Sequence, residues 1–177
     1  MTSDPPSASV LRPATPADLD DLVAVEREGG LAAFGHIFPP ADYPFPTAAV
    51  RQRWAKDLAD PTVDCHVIVG PSHVAAQDVT DPEVAGFAVT SGNQLVHVGT
   101  RVTTWGSGLA GIAHEEVLDR MRGAGHRQAW LWVMEENHRA RRFYARRGWV
   151  PTAITSREEH PPHPLLRRLE RDLVDLA

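Results

Sequence analysis

The feature of this sequence that most constrains its fold is a glycine-rich turn between a strand-like run and a helical pattern. The strand-like run covers residues 95–100, and small residues occupy positions 106, 108 and 110 of the turn. Such a turn lets bare backbone N–H groups approach a ligand, and the N-terminus of the following helix adds a partial positive charge. The pattern predicts either a site for phosphate or pyrophosphate or a plain strand–turn–helix unit. One helical face after the turn is formed by Leu109, Ile112, Ala113, Val117 and Met121.

A second segment, residues 137–149, favours the ligand site. Together the two segments resemble the cofactor-binding core of the GNAT superfamily of acetyl-CoA-dependent N-acetyltransferases. The loop motif of that family, Gln/Arg-x-x-Gly-x-Gly/Ala, matches at Gly108 and Ala110, whereas Trp105 stands where Gln or Arg is usual. The close resemblance covers about residues 83–150. The second family motif, Asn-x-x-Ala-x-x-Phe-Tyr-x-x-x-Gly-Phe/Trp, is complete at Asn137, Ala140, Phe143, Tyr144, Gly148 and Trp149.

The resemblance implies an α/β fold, with a mixed, mainly antiparallel sheet of six to seven strands flanked by about four helices on both faces. It also implies that the sheet splays near its fourth and fifth strands. Residues 1–8 are rich in Ser, Pro and Asp, and we expect them to form a flexible N-terminal tail. Residues 9–177 are expected to form a single N-acetyltransferase domain, because a chain of 177 residues fits one domain with a real core.

The secondary structure of two segments stays open. The first helix begins after the hydroxyl cap of Thr15 and is expected to break either near residues 29–30 or at Gly35. In residues 165–173, leucines four positions apart fit one helical face and equally one face of a strand. The spacing of Arg168 and Asp172 slightly favours a helix. The resemblance favours a final strand, and we follow it.

The resemblance implies transfer of an acetyl group from acetyl-CoA to a primary amine by direct attack within a ternary complex. In the family, the pantetheine arm adds to the fourth strand through backbone groups, and the glycine-rich loop holds the pyrophosphate. A tyrosine hydroxyl of the second motif protonates the departing thiolate, and this catalytic position falls on Tyr144. The residues implied for cofactor binding are Val98, Gly99, Thr100, Gly106, Ser107, Gly108, Leu109, Ala110, Gly111, Asn137 and Tyr144.

The general base cannot be carried over from the family. The two positions that bear a catalytic glutamate in different branches fall on Gln94 and Trp132, and neither side chain can accept a proton. Nearby candidates are His97, Glu135 and Glu136. His97 titrates in the useful range, but strand alternation points it away from the Gln94 face unless a bulge intervenes. We therefore expect deprotonation of the amine through water.

The acceptor, a small-molecule or peptide amine, is expected to bind over the first two helices and their connection, as in the family. The connection, residues 34–45, combines aromatic side chains with prolines that limit its freedom. His36 and Tyr43 carry polar groups that can orient an amine. The runner-up function is an acyl-CoA-binding module of the same fold that has lost catalysis. It is suggested by Gln94, Trp105 and Trp132.

The composition of the chain limits which classes of partner we expect it to bind. The net charge of −5 argues against a nucleic acid, and no apolar run reaches the roughly 20 residues of a membrane span. Cys65 is the single cysteine, so no internal disulfide is possible, which suits a cytoplasmic location. His160 and His163 could suggest a metal, but two ligands are too few, and no metal is expected. The sequence leaves open whether the protein forms a homodimer.

Overall fold

A mixed sheet of seven strands forms the centre of the fold in this computed structural model, which describes residues 9–70 and 83–174. In these ranges the strands are β1 (Leu11–Pro13), β2 (Asp64–Val69), β3 (Val84–Ser91), β4 (Gln94–Thr100), β5 (Gln128–Met134), β6 (Val150–Arg157) and β7 (Leu165–Asp172). The helices are α1 (Leu19–Phe34), α2 (Thr47–Ala59), α3 (Leu109–Gly123) and α4 (His138–Ala145). The predicted flexible tail, residues 1–8, lies outside the described residues, as do residues 71–82 and 175–177 of the predicted domain.

The strands follow the order β1-β2-β3-β4-β5-β7-β6, and every neighbouring pair is antiparallel except β4 and β5. The helices cover both faces of this sheet and enclose two apolar cores. One core joins α1 and α2 to the sheet through residues such as Leu22 and Trp54, and the other joins α3 through residues such as Leu118 and Met121. The α/β fold class predicted from the sequence is confirmed.

Helix α1 continues through the glycine pair at residues 29–30, so Gly35 marks its end. Of the two expected break points, the second is therefore the one observed. The pair lies where the helix packs closely on its neighbours, since a Cβ added at Gly30 would stand 3.2 Å from the Phe45 ring. This close packing outweighs the low helix propensity of glycine.

The C-terminal segment is a strand, as the resemblance predicted. β7 lies between β5 and β6, and Leu169 and Leu173 are buried on one face of the sheet. The helical pairing of Arg168 with Asp172 does not form. Arg168 instead pairs with Glu170 at 2.8 Å, because side chains two positions apart share a face in a strand.

The parallel strands β4 and β5 are joined by one backbone pairing, Gln94 with Trp130. Asn93 holds this junction together. Its backbone oxygen accepts the Trp130 N–H at 3.1 Å, and its side chain contacts Trp130 Nε1 and the Gln128 carbonyl oxygen. Beyond this point the two strands diverge, so the backbone edge of β4 that faces β5 is left without a strand partner. The sheet therefore opens where the resemblance implied a splay.

A buried histidine links α3 to the segment after α4. His114 is fully buried, and its Nε2 accepts a hydrogen bond from Trp149 Nε1 at 2.9 Å. Its Nδ1 donates to the Glu115 carboxylate at 3.0 Å, so the imidazole is neutral. Burial lowers the pKa of His114 from 6.5 to about 4, although the Glu115 carboxylate acts in the opposite direction.

We expect His114 to make the stability of the protein depend on pH. The unfolded chain binds a proton near pH 6.5 that the folded chain binds near pH 4, so stability falls as the pH drops through this window. The full shift is worth on the order of 3 kcal/mol. Urea unfolding at pH 7 and pH 5 should show a smaller loss for His114→Leu than for wild type. The exposed His160→Asn variant should lose as much free energy of unfolding between pH 7 and pH 5 as wild type. The same loss in His114→Leu would contradict this role for His114.

Candidate active site

A cleft of about 480 Å³ lies where β4 and β5 diverge. Its walls come from α1, β4, β5 and α4, with a contribution from the segment between β6 and β7. Six of the residues implied for cofactor binding line this cleft: Val98, Gly99, Thr100, Ala110, Asn137 and Tyr144.

The edge of β4 offers backbone groups to the cleft. The Arg101 N–H donates to the Ala85 carbonyl of β3, so alternation turns the polar backbone groups of Thr100 and Val98 toward the open side. Thr100 O accepts Trp105 Nε1 at 3.1 Å. The polar backbone groups of Gly99 instead point toward β3. This position has no room for a side chain, because a Cβ would stand 2.7 Å from the Phe87 ring. Val98 thus turns its N–H and C=O toward the opening, where no described residue pairs with them.

The glycine-rich loop presents donors at the start of α3. Gly106 and Gly108 have φ values of +84° and +90°, which favour glycine. Across the described part of the chain, the N–H groups of Gly106, Gly108 and Ala110 have no protein acceptor. The Leu109 N–H donates to Ser107 Oγ at 3.2 Å, and the Gly111 N–H donates to Gly108 O at 2.9 Å. The loop therefore has the donor pattern of an anion site, centred on residues 106–110.

Two arginines flank this loop. The Arg139 guanidinium stacks on the Trp105 indole, with its central carbon 3.3 Å from the ring centroid. The Arg147 guanidinium lies over the Phe143 ring at 3.8 Å and contacts Gly111. Among the described residues neither arginine has a carboxylate partner, so both charges are available to a phosphate. The stacking of Arg139 on Trp105 joins residues distant in sequence, so no local spacing indicates it.

Tyr144 lies at the bottom of the cleft, 8% exposed, between aromatic side chains of α3 and α4. Its hydroxyl makes no hydrogen bond to another described residue. Burial raises the pKa of Tyr144, so the hydroxyl stays protonated at neutral pH. Asn137 caps α4, because its Oδ1 accepts the Ala140 N–H at 3.1 Å. The cleft thus holds one buried proton donor beside an ordered helix start.

Gln94 and Trp132 both line the cleft, so the two family positions for a base carry no ionisable group here. His97 lies on the same face as Gln94, because a bulge intervenes. Val89 pairs with His97 and Thr90 pairs with Leu95, which leaves Val96 as the extra residue. The exception named in the sequence analysis, a bulge, is therefore present, and strict alternation does not hold at this point.

His97 is poorly suited to act as a base. Its Nε2 accepts a hydrogen bond from Arg53. Burial and the Arg53 charge lower its pKa to about 4, with Glu158 acting weakly in the opposite direction. Glu135 is held by Arg167 at 2.5 Å and by Arg141 at 3.0 Å, so its charge is neutralised. Glu136 is exposed.

Sequence reasoning missed three charged groups around the cleft. Glu26 of α1 accepts hydrogen bonds from Arg53 at 2.6 Å and from Trp54 Nε1 at 2.7 Å. Glu158 also lines the cleft, and its charge acts on His97. Glu26, Arg53 and Glu158 are far apart in sequence and belong to no shared motif. The tertiary fold brings them together, so no local spacing could have identified them.

The two residues expected to orient the acceptor do not line the cleft. His36 is exposed, and its Nε2 donates to the Glu136 carbonyl oxygen at 3.0 Å, next to Asn137. Tyr43 packs edge-on against Phe38, with ring centroids 6.3 Å apart. Both lie on the connection between α1 and α2, outside the cavity itself.

Three further observations concern metal ligands, the cysteine and the helices. Across residues 9–70 and 83–174, no group of three or more His, Cys, Asp or Glu side chains is arranged to hold a metal ion. Cys65 is buried, and burial raises the pKa of its thiol to about 11, so the thiol is protonated at neutral pH. None of the described helices has the length and apolar character that crossing a membrane requires.

The sequence of this chain matches the model of the acetyltransferase (GNAT) family over residues 21–149. The chain belongs to this family and is an acyltransferase. Members of the family use acetyl-CoA as the acetyl donor. No curated protein sequence matches the chain.

Solved structures of family members share the fold. A GCN5-related N-acetyltransferase from Rhodopseudomonas palustris superposes with a TM-score of 0.72, at 15% identity, covering 94% of this chain and 96% of its own. The PaiA N-acetyltransferase from Thermoplasma acidophilum, solved with coenzyme A, has a TM-score of 0.66 at 15% identity, covering 92% and 97%. The ribosomal-protein-S18-alanine N-acetyltransferase from Escherichia coli has a TM-score of 0.65 at 15% identity, covering 94% and 95%. At this identity the likeness supports the fold alone.

The glycine-rich loop gives a direct test of cofactor binding. CoA at about 100 times its Kd should stabilise the protein by roughly 2.7 kcal/mol, because it binds the native state. Gly108→Asp places a carboxylate against the phosphates and should abolish the thermal shift. Gly92→Asp is the matched control, since Gly92 also has a positive φ and open space around it but lies at the β3–β4 turn. A wild-type shift in Gly108→Asp would place the phosphates elsewhere.

Proposed function

We propose that this protein transfers an acetyl group from acetyl-CoA to a primary amine by direct attack within a ternary complex. The observation that carries the proposal is the convergence of three features on one cleft. These are the open edge of β4, the protonated hydroxyl of Tyr144, and the glycine-rich loop, whose Trp105 and Ala110 line the cleft and whose Gly106 and Gly108 lie beside it without lining it.

The described residues fit acetyl-CoA, which supplies an activated acetyl thioester when bound. Gly106, Gly108 and Ala110 would donate to the pyrophosphate, and Arg139 and Arg147 would neutralise phosphate charge. The free backbone groups of Val98 would hold the extended arm. An oriented backbone donor at the reacting carbonyl is worth roughly 3 kcal/mol, so Val98 N–H is also our candidate for stabilising developing negative charge.

The proton movements follow from the groups in the cleft. Tyr144 Oη would donate its proton to the departing sulfur, since the hydroxyl is protonated at neutral pH and makes no hydrogen bond to another described residue. The attacking nitrogen must lose a proton, and neither Gln94 nor Trp132 can accept one. Nε2 of His97 already accepts a hydrogen bond from Arg53. We therefore propose that water carries this proton out of the cleft.

Replacement of Tyr144 tests the acid role. Tyr144→Phe keeps the ring that packs against His114 and Trp149 and removes the hydroxyl. We expect turnover to fall by about 10², with CoA affinity nearly unchanged, because the lost interaction acts on the departing group. Steady-state kinetics with an amine panel and calorimetric titration with CoA separate the two quantities. A wild-type turnover number would assign Tyr144 to the core alone.

The acyl-CoA-binding module remains the second candidate function, because Gln94, Trp105 and Trp132 replace residues usual in the family. The two functions differ in turnover. Release of CoA in the presence of an amine panel supports the enzyme, whereas tight CoA binding without release for any amine supports the module.

We also propose that His36 and Tyr43 guide the acceptor at the outer part of its path. His36 contacts the backbone just before Asn137, a cleft residue, so a change there reaches the mouth of the cleft. His36→Ala and Tyr43→Ala should raise the acceptor KM and leave CoA binding intact. The measurement is the acceptor KM at saturating acetyl-CoA. Equal weakening of CoA binding, or no kinetic effect, would move the acceptor path elsewhere.

A further inference from the structure

The end of the cleft near β4 and α1 contains two carboxylates, and their surroundings differ. Glu26 lies on α1, and Glu158 lies directly after β6. Both residues line the cavity. A carboxylate charge that the protein does not neutralise will therefore act on a ligand in the cavity.

The charge of Glu26 is neutralised by the protein. Arg53 contacts both carboxylate oxygens, and Trp54 Nε1 donates to one of them at 2.7 Å. The same Arg53 also donates to His97, which is neutral. Glu26, Arg53 and His97 together therefore carry no net charge at neutral pH.

Glu158 has no such partner among the described residues. Its carboxylate contacts His160 Nδ1 at 3.2 Å and accepts the Glu159 N–H at 3.1 Å. The His160 side chain is 69% exposed, so its contact is surrounded by solvent and contributes little. Glu158 thus gives the end of the cleft near β4 and α1 a net negative charge.

The backbone around Glu158 is well anchored. Its N–H donates to Pro164 O at 3.0 Å, and its carbonyl accepts His163 Nδ1 at 3.0 Å. The Arg157 side chain donates to His163 O at 3.0 Å. A carboxylate held on an ordered loop can recognise a ligand without a large ordering cost.

The other walls at this end are mainly apolar. Phe34, Phe87 and Trp132 supply aromatic surface to the cavity, and Val25 and Val96 supply aliphatic surface. Aromatic faces also attract cations, which adds to the effect of a carboxylate. The combination suits a ligand with a positive charge on an apolar body.

We propose that Glu158 is the residue that selects the acceptor, by pairing with a positive charge on it. The substrate class is then a cationic amine with an apolar or aromatic body, and amines that carry a carboxylate close to the nitrogen are rejected. This inference rests on the proposed acetyl transfer, because it concerns the acceptor of that reaction.

Binding and kinetics with three probes test the inference on the CoA-bound protein. The probes are 2-phenylethylamine, its neutral analogue 2-phenylethanol, and phenylalanine, which adds a carboxylate. Wild type should bind 2-phenylethylamine more tightly than the other two. In Glu158→Gln, affinity for 2-phenylethylamine should fall about tenfold or more, because a charge-assisted contact is lost, while affinity for 2-phenylethanol stays the same.

Two more variants separate recognition from structure. Glu159→Gln is the matched control, because Glu159 is exposed, adjacent and outside the cavity. It should behave as wild type. Glu158→Lys should reverse the preference and favour phenylalanine over 2-phenylethylamine, which a merely structural role would not produce. Where acetylation is observed, Glu158→Gln should raise the KM of the cationic amine more than it lowers kcat.

The outcomes distinguish this inference from the proposed reaction. Loss of cation selectivity in Glu158→Gln supports cation recognition by Glu158 even if no probe is acetylated, and the amine panel then decides the transfer proposal separately. Acetylation of 2-phenylethylamine with equal KM in wild type and Glu158→Gln would overturn the inference and leave the reaction standing. Failure of wild type to prefer the cationic probe would also overturn it.

Discussion

The single backbone pairing between β4 and β5 is the constraint on which the rest of the site depends. A continuous parallel ladder would use the polar groups of Val98 and close the sheet, because sheet-interior backbone groups are almost always paired. Asn93 fixes the junction at one end through three hydrogen bonds, so the divergence begins at a defined residue. The open edge of β4, the loop before α3 and the start of α4 then face one another across one cavity.

Much of the fold could be predicted from the sequence because its signals are local. The glycine-rich turn does lie between a strand and a helix, and Leu109, Ala113, Val117 and Met121 of the predicted helical face are buried. The C-terminal strand required the family resemblance, since four-residue spacing fits both a helix and a strand. The end of α1 stayed open because the reason for Gly30 is a contact with Phe45, fifteen positions along the chain.

The candidate site was less accessible to sequence reasoning, and charge explains why. The roles of Glu26, Arg53 and His97 depend on one another, since Arg53 both neutralises a carboxylate and holds an imidazole neutral. The charge balance and protonation state of these three residues cannot be inferred from their neighbours in sequence. In the folded protein the two ends of the cleft differ in charge, with arginines beside the loop and an uncompensated carboxylate at Glu158. An anionic donor and a cationic acceptor would therefore enter from opposite ends.

The bulge at Val96 has a consequence for how β4 tolerates changes in length. Val96 and His97 face the same side of the sheet. Before the bulge the even-numbered side chains face that side, whereas after it the odd-numbered side chains do, so the strand consists of two short segments. Removal of Val96 would restore strict alternation, with Leu95 opposite Thr90 and His97 opposite Val89, so Leu95 would stay in the core and Val98 would keep its polar groups toward the opening. A deletion elsewhere in the strand has no extra residue to absorb it and would turn one segment over. Val96 is therefore the position at which β4 should best tolerate the loss of a residue.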